Sequence, residues 1–240
     1  MVIASIFVST FKQTAFKQIA SKQIALVIIL ALIQTFTYGC SSSDVSVERK
    51  KPDIKIRYFD PKNFEGKSPV PNLQPGESAL TEWEFGCQTN FDFDIVEESR
   101  MSTGKTFVRL KVKKVKIILN APILVWLPKN PAPDVVAHEK GHQDICTRVY
   151  SESDETARKA AQSVVGRSFE SEGDTREEAC KKALIQAQEV VCAIYHQDVS
   201  DYAGCISEIY DSLDEAEKGE AHELVSKAFS NYKRVSDQKK

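Results

Sequence analysis

Apolar residues recur with three different spacings along this chain. Residues 24–33 form an unbroken apolar run near the N-terminus. Ile54-Lys55-Ile56-Arg57-Tyr58-Phe59 then alternates with the two-residue period of a β-strand. A Pro- and Gly-rich loop follows over 60–76, and 79–85 and 91–96 predict further strands. The clearest strand covers 107–119. Val108, Leu110 and Val112 alternate with Arg109 and Lys111, the phase slips at Lys113-Lys114, and Val115, Ile117 and Leu119 resume it. A one-residue slip in a two-residue period predicts a β-bulge. Asn120-Ala121-Pro122 reads as a turn, 123–127 as a short strand, and Pro128, Pro131 and Pro133 close the β-rich half.

Beyond Pro133 the period becomes helical. Asp134 is the expected N-cap of a helix starting at Val135, running through Val149 and on to Val165. Residues 166–173 interrupt it. Asp174 caps a second expected helix over 175–195, rich in Ala, Glu, Lys and Gln, and a third runs from about Tyr202 to the polar C-terminus. A β-rich half followed by a helical half predicts the α+β class.

The apolar run at 24–33 is preceded by Lys12, Lys17 and Lys22 and followed by Gly39-Cys40-Ser41-Ser42-Ser43. A basic flank, a short apolar stretch and a small residue before a break are the parts of an export signal. The run is shorter than the roughly 20 residues a membrane-spanning helix needs. Gly39-Cys40 resembles the lipobox of bacterial lipoproteins, whose Cys is lipidated and becomes the first mature residue. The expected organisation is a signal peptide over 1–39, a lipidated Cys40 with a flexible Ser- and Lys-rich tether to residue 53, and one domain over 54–240. The expected location is the cell envelope, with the acyl chains holding the protein to a membrane. If the host has two membranes, Ser41 resembles the outer-membrane sorting class.

Charge narrows the function classes. The first 39 residues hold three Lys and no acid, leaving 29 basic and 34 acidic residues from Cys40 onward. That balance speaks against a nucleic-acid partner. Export permits disulfides. Of the remaining cysteines, Cys180, Cys192 and Cys205 fall on adjacent predicted helices, where a bridge is plausible; Cys87 and Cys146 complete an odd set of five.

The chemistry concentrates in His138-Glu139-Lys140-Gly141-His142. On a helix, residues four apart share a face, so His138 and His142 converge on one point with nitrogens suited to Zn²⁺. Glu139 lies about 100° around the helix, beside that point, placed as general base for a zinc-activated water. Lys140 is a charge inside the motif, and Gly141 weakens the helix by about 1 kcal/mol relative to Ala. A catalytic zinc takes a third protein ligand and keeps one open position. His222, in Gly219-Glu220-Ala221-His222-Glu223, is the first choice for that ligand; His196, Asp211 and Glu208 follow.

Several segments together resemble a bacterial family of predicted secreted Zn-dependent proteases. The matching pieces are Tyr58, Ala79-Leu80-Thr81-Glu82-Trp83-Glu84-Phe85, Trp126-Leu127-Pro128, the HExxH pentapeptide, the Ala-rich helix to Cys192, and Ile209-Tyr210-Asp211. The resemblance implies a zincin-like fold and an exported metallopeptidase acting on a peptide or protein substrate. It also implies His138 and His142 as zinc ligands and Glu139 as base. In that family the Tyr-Asp pair is followed closely by Thr-x-His-Gly. Here Asp211 is followed by Ser212-Leu213-Asp214-Glu215, and His222 is the candidate replacement. The alternative is a non-catalytic envelope lipoprotein on the same fold, binding metal or acting as a scaffold.

Overall fold

β-strands occupy the first half of the described chain and helices most of the second. The computed structural model describes residues 44–60, 70, 72–73, 77–217 and 219–238. The α+β organisation holds: among the described residues six strands precede the first helix, and a seventh lies between helices. The described residues fall in one compact unit. The expected signal peptide and Cys40 lie outside the described residues.

β5 (Thr106–Asn120) is the spine of the first sheet. β4 (Gly86–Arg100) pairs with it antiparallel along its whole length. Its other edge is shared. β1 (Val45–Arg49) pairs parallel with 115–119, and β7 (Ser168–Gly173) pairs antiparallel with 106–111. The slip at Lys113 is a bulge: Asp92 faces Lys114 and Phe93 faces Val112, leaving Lys113 as the extra residue. That extra residue lets Val112 and Val115 both point inward, so Val108, Leu110, Val112, Val115, Ile117 and Leu119 are all buried.

The second sheet continues the first around a corner. β2 (Asp53–Phe59), β6 (Pro122–Pro128) and β3 (Leu80–Trp83) lie in the order β2-β6-β3. They are the extensions of β1, β5 and β4 respectively. Backbone bonds from Lys50 N to Leu119 O, Asp53 N to Ala121 O and Glu84 N to Pro122 O stitch the bend. In place of the expected turn at Asn120-Ala121-Pro122, the chain runs on from β5 into β6 with Ala121 alone between them.

Four helices follow: α1 (Pro133–Glu152), α2 (Asp154–Gln162), α3 (Arg176–Glu217) and α4 (Ala221–Gln238). α3 buries Ala179, Ala183, Ala187, Val191, Tyr195, Val199 and Ala203. That four-residue row of mostly small side chains lets the helix lie close on the β5 sheet. Cys87 on β4 is bonded to Cys192 on α3. Among the described residues no helix is long and apolar enough to cross a membrane.

Several expectations change. The expected tether reaches residue 53, but Val45–Arg49 within it is a strand with Val45 buried, because β5 offers an unpaired parallel edge. The single helix expected to reach Val165 breaks at Ser153, which is buried and whose hydroxyl donates to Tyr150 O. The interruption over 166–173 contains β7, whose alternation is faint because Phe169 is its one large apolar residue. The helix expected at 175–195 runs unbroken into the start of the one expected from Tyr202 to form α3, which ends at Glu217; the rest of the latter is α4, from Ala221. No Pro stands between residues 195 and 202, and Tyr195, Val199 and Ala203 continue the buried row. Cys180, Cys192 and Cys205 therefore share one helix, and the disulfide joins Cys192 to Cys87 instead.

Candidate metal centre

Pro133 stands in the first turn of α1, where a missing N–H costs nothing. The N-cap is Ala132, with no side-chain cap bond; the expected cap, Asp134, sits in the first turn, where its charge favours the helix dipole. Val135 packs against Val125 and Leu127 of β6 and against Ala79, just before β3. Val136 is exposed. This docking sets the rotation of α1 and turns His138 and His142 toward α3.

His138 Nε2 and His142 Nε2 stand 3.1 Å apart. Asp211 Oδ1, from α3, lies 2.9 Å from His142 Nε2 and 3.5 Å from His138 Nε2. Among the described residues this is the group whose ligand atoms are close enough together to hold a metal ion. The dimensions fit zinc: with bonds of about 2.0–2.1 Å, ligand atoms of a tetrahedral site stand roughly 3.3 Å apart. The donor set fits as well: two imidazoles and one carboxylate are a three-ligand set that leaves the fourth position of a tetrahedral zinc to water or substrate. Asp211 Oδ1 is buried, and its polar neighbours are the two imidazole nitrogens themselves, so a shared cation or a proton on one ring would satisfy it. A carboxylate oxygen in that condition needs a cation or a donor.

Glu139 is 5 % exposed and points to the opposite side of α1 from solvent. Thr81 of β3 donates its hydroxyl to Glu139 Oε2 at 2.6 Å. Burial pushes the Glu139 carboxyl above its ordinary value. The Thr81 bond and the neighbouring His142 and His138 act the other way. Lys140, the charge inside the motif, is exposed and pairs with Asp144 one turn along. It is directed away from the buried face that carries Glu139 and Gly141.

Gly141 has a reason that sequence did not reveal. Tyr210, fully buried, lies directly against it: a Cβ on Gly141 would stand 2.2 Å from the Tyr210 hydroxyl oxygen. The Tyr210 hydroxyl donates to His138 O at 3.2 Å, and its ring lies 5.3 Å from His138 and 5.2 Å from His142. Burial, then the carboxylates of Asp214 and Asp211, push that phenol well above its ordinary value, so it remains a donor. Tyr210 thus clamps α3 to the turn of α1 that carries the histidine pair. Gly141→Ala is expected to destabilise the fold by about 1–3 kcal/mol through overpacking, although Ala favours a helix by about 1 kcal/mol. A urea titration gives the sign. A variant more stable than wild type would mean that the clamp is loose.

Among the expected third ligands, Asp211 is the one brought to the histidine pair. His222 is exposed on α4 and stands outside the group. His196 is fifteen residues before Asp211, about 22 Å along the same helix. Glu208 is exposed one turn earlier. Thr81, Tyr210 and Asp214 were not singled out from sequence for any role. Thr81 and Tyr210 fall inside segments that carried the family resemblance, which was the available signal. No protein-family model, curated protein or solved structure matches this chain.

Proposed function

We propose that this chain is a zinc-dependent metallopeptidase of the bacterial cell envelope, built on a zincin-like variant of its α+β fold. The observation that carries the reading is the triangle of His138 Nε2, His142 Nε2 and Asp211 Oδ1, with sides of 2.9–3.5 Å. In this reading those three residues hold zinc. The bound metal would lower the pKa of a water molecule toward neutrality and polarise the substrate carbonyl. Glu139 accepts the proton from that water and passes it to the leaving amine. Thr81 fixes one oxygen of Glu139 and leaves the other for the proton. A peptide substrate is supported by β3, which ends the β2-β6-β3 sheet and supplies the residue that touches Glu139. An edge strand can pair with an extended chain.

Asp211 supports the catalytic reading over the non-catalytic scaffold. The departure from the family pattern after Asp211 left the site one ligand short, and Asp211 itself supplies a ligand atom at the right distance. The Cys87–Cys192 bridge agrees with an oxidising, exported location, and Cys40 as lipid anchor remains part of this proposal.

The test is zinc content together with peptide cleavage. Wild-type protein is expected to carry close to one zinc per chain and to cleave a peptide library. Asp211→Ala should lose most of both. His222→Ala should change neither, since His222 is exposed and apart from the group. Protein that takes up no zinc after reconstitution would end the metallopeptidase reading. Zinc loss in His222→Ala with retention in Asp211→Ala would return the third position to His222.

A further inference from the structure

His138 is held from two directions by α3. Tyr210 donates to its backbone carbonyl, as described, and Asp214 Oδ2 lies 2.9 Å from its ring Nδ1. Asp214 follows Asp211 by three residues, so the two carboxylates share one face of the helix and meet the two nitrogens of the same imidazole. His142 is different. Its Nδ1 is buried with no hydrogen-bond partner among the described residues, and its side chain is 12 % exposed against 30 % for His138. Packing holds the His142 ring. The more exposed His138 ring depends on a partner.

We infer that Asp214 is a positioning residue of the metal centre, a role that rests on the metal reading above. An ionised carboxylate only accepts hydrogen bonds, and a neutral imidazole carries one N–H. Asp214 therefore places that hydrogen on Nδ1. The lone pair of Nε2 is left directed at His142 Nε2 and Asp211 Oδ1. The same contact fixes the ring's rotation and makes Nε2 a better donor to a cation. Asp214 is 36 % exposed, so its removal leaves no buried charge behind.

The experiment is a zinc titration against a chromophoric chelator, using the full chain as wild type, Asp214→Ala, Asp214→Asn and Asp211→Ala. Imidazole-¹⁵N spectra report the tautomer of His138, and apo-state melting serves as a control for folding. Asp214→Ala should keep its stoichiometry and weaken zinc by about 10–100-fold. It should also mix the His138 tautomers in the apo protein. Asp214→Asn should recover part of the affinity, because its amide oxygen still accepts from Nδ1–H. Wild-type affinity in Asp214→Ala, with wild-type binding intact, would overturn this inference alone. Loss as complete as that of Asp211→Ala would make Asp214 a ligand and overturn it as well. Wild-type protein that binds no zinc would remove the metal reading and this role with it.

Discussion

Glu139→Gln is expected to lower peptide cleavage by about 10²–10⁴-fold while zinc content and folding stay at wild-type values. Three features of the site set that expectation. Glu139 is absent from the candidate ligand triangle, so its replacement should leave a metal held there in place. Gln has the same shape, and its amide oxygen can accept the Thr81 hydroxyl as Oε2 does, so the buried contact between β3 and α1 survives. What the amide cannot do is take a proton from water at neutral pH. Burial disfavours the charged form of Glu139, so a neutral amide there adds no desolvation cost to the fold. Cleavage rates and zinc content are to be measured on the same preparations. Full-rate cleavage by the variant would place the activity outside this motif. Loss of zinc along with activity would mean that Glu139 is a ligand.

The double variant Cys87→Ser/Cys192→Ser is expected to lose about 2–5 kcal/mol of stability. The bridge joins residues 105 apart in sequence, and closing so long a loop restricts the unfolded chain more than a short one. In the folded state it fastens α3 to β4, on the sheet that α3 covers. Asp211, the candidate third ligand, lies on the same helix, nineteen residues beyond Cys192. The row of buried Ala and Val residues holds α3 on the sheet independently, and Tyr210 holds its far end to α1. The variant should therefore bind zinc normally well below its melting temperature. Urea titrations with and without reductant measure the effect. Equal midpoints would show that the bond is not formed in solution. Cys146 should not interfere, since it is buried and its thiol is pushed far up by that burial.

Features that depend on neighbours in sequence were legible from sequence. The convergence of His138 and His142 follows from helical geometry over five residues. The bulge at Lys113 follows from the strict two-residue period of a strand, which one extra residue must break. Strands β2 to β6, the start of α1 and the α+β class followed from periodicity; β1, β7 and the later helix boundaries did not.

The rest was decided by partners far away in the chain. Val45–Arg49 and Ser168–Gly173 are strands because β5, with its other edge already on β4, had an open edge to fill. Neither segment carries much pattern of its own. The third ligand position depends on how α3 lies across α1, and that is set by the Ala row on the sheet and by the Tyr210–Gly141 contact. Residues 69 apart meet there, Asp211 against His142. Helical periodicity could place Asp211, Asp214 and Glu208 relative to one another but not relative to α1. His222 offered the more familiar zinc chemistry, yet it sits on α4 facing solvent. Residue type defines which atoms can bind a metal. Only the packing of one helix on another decides which of them come within about 3 Å of the same point.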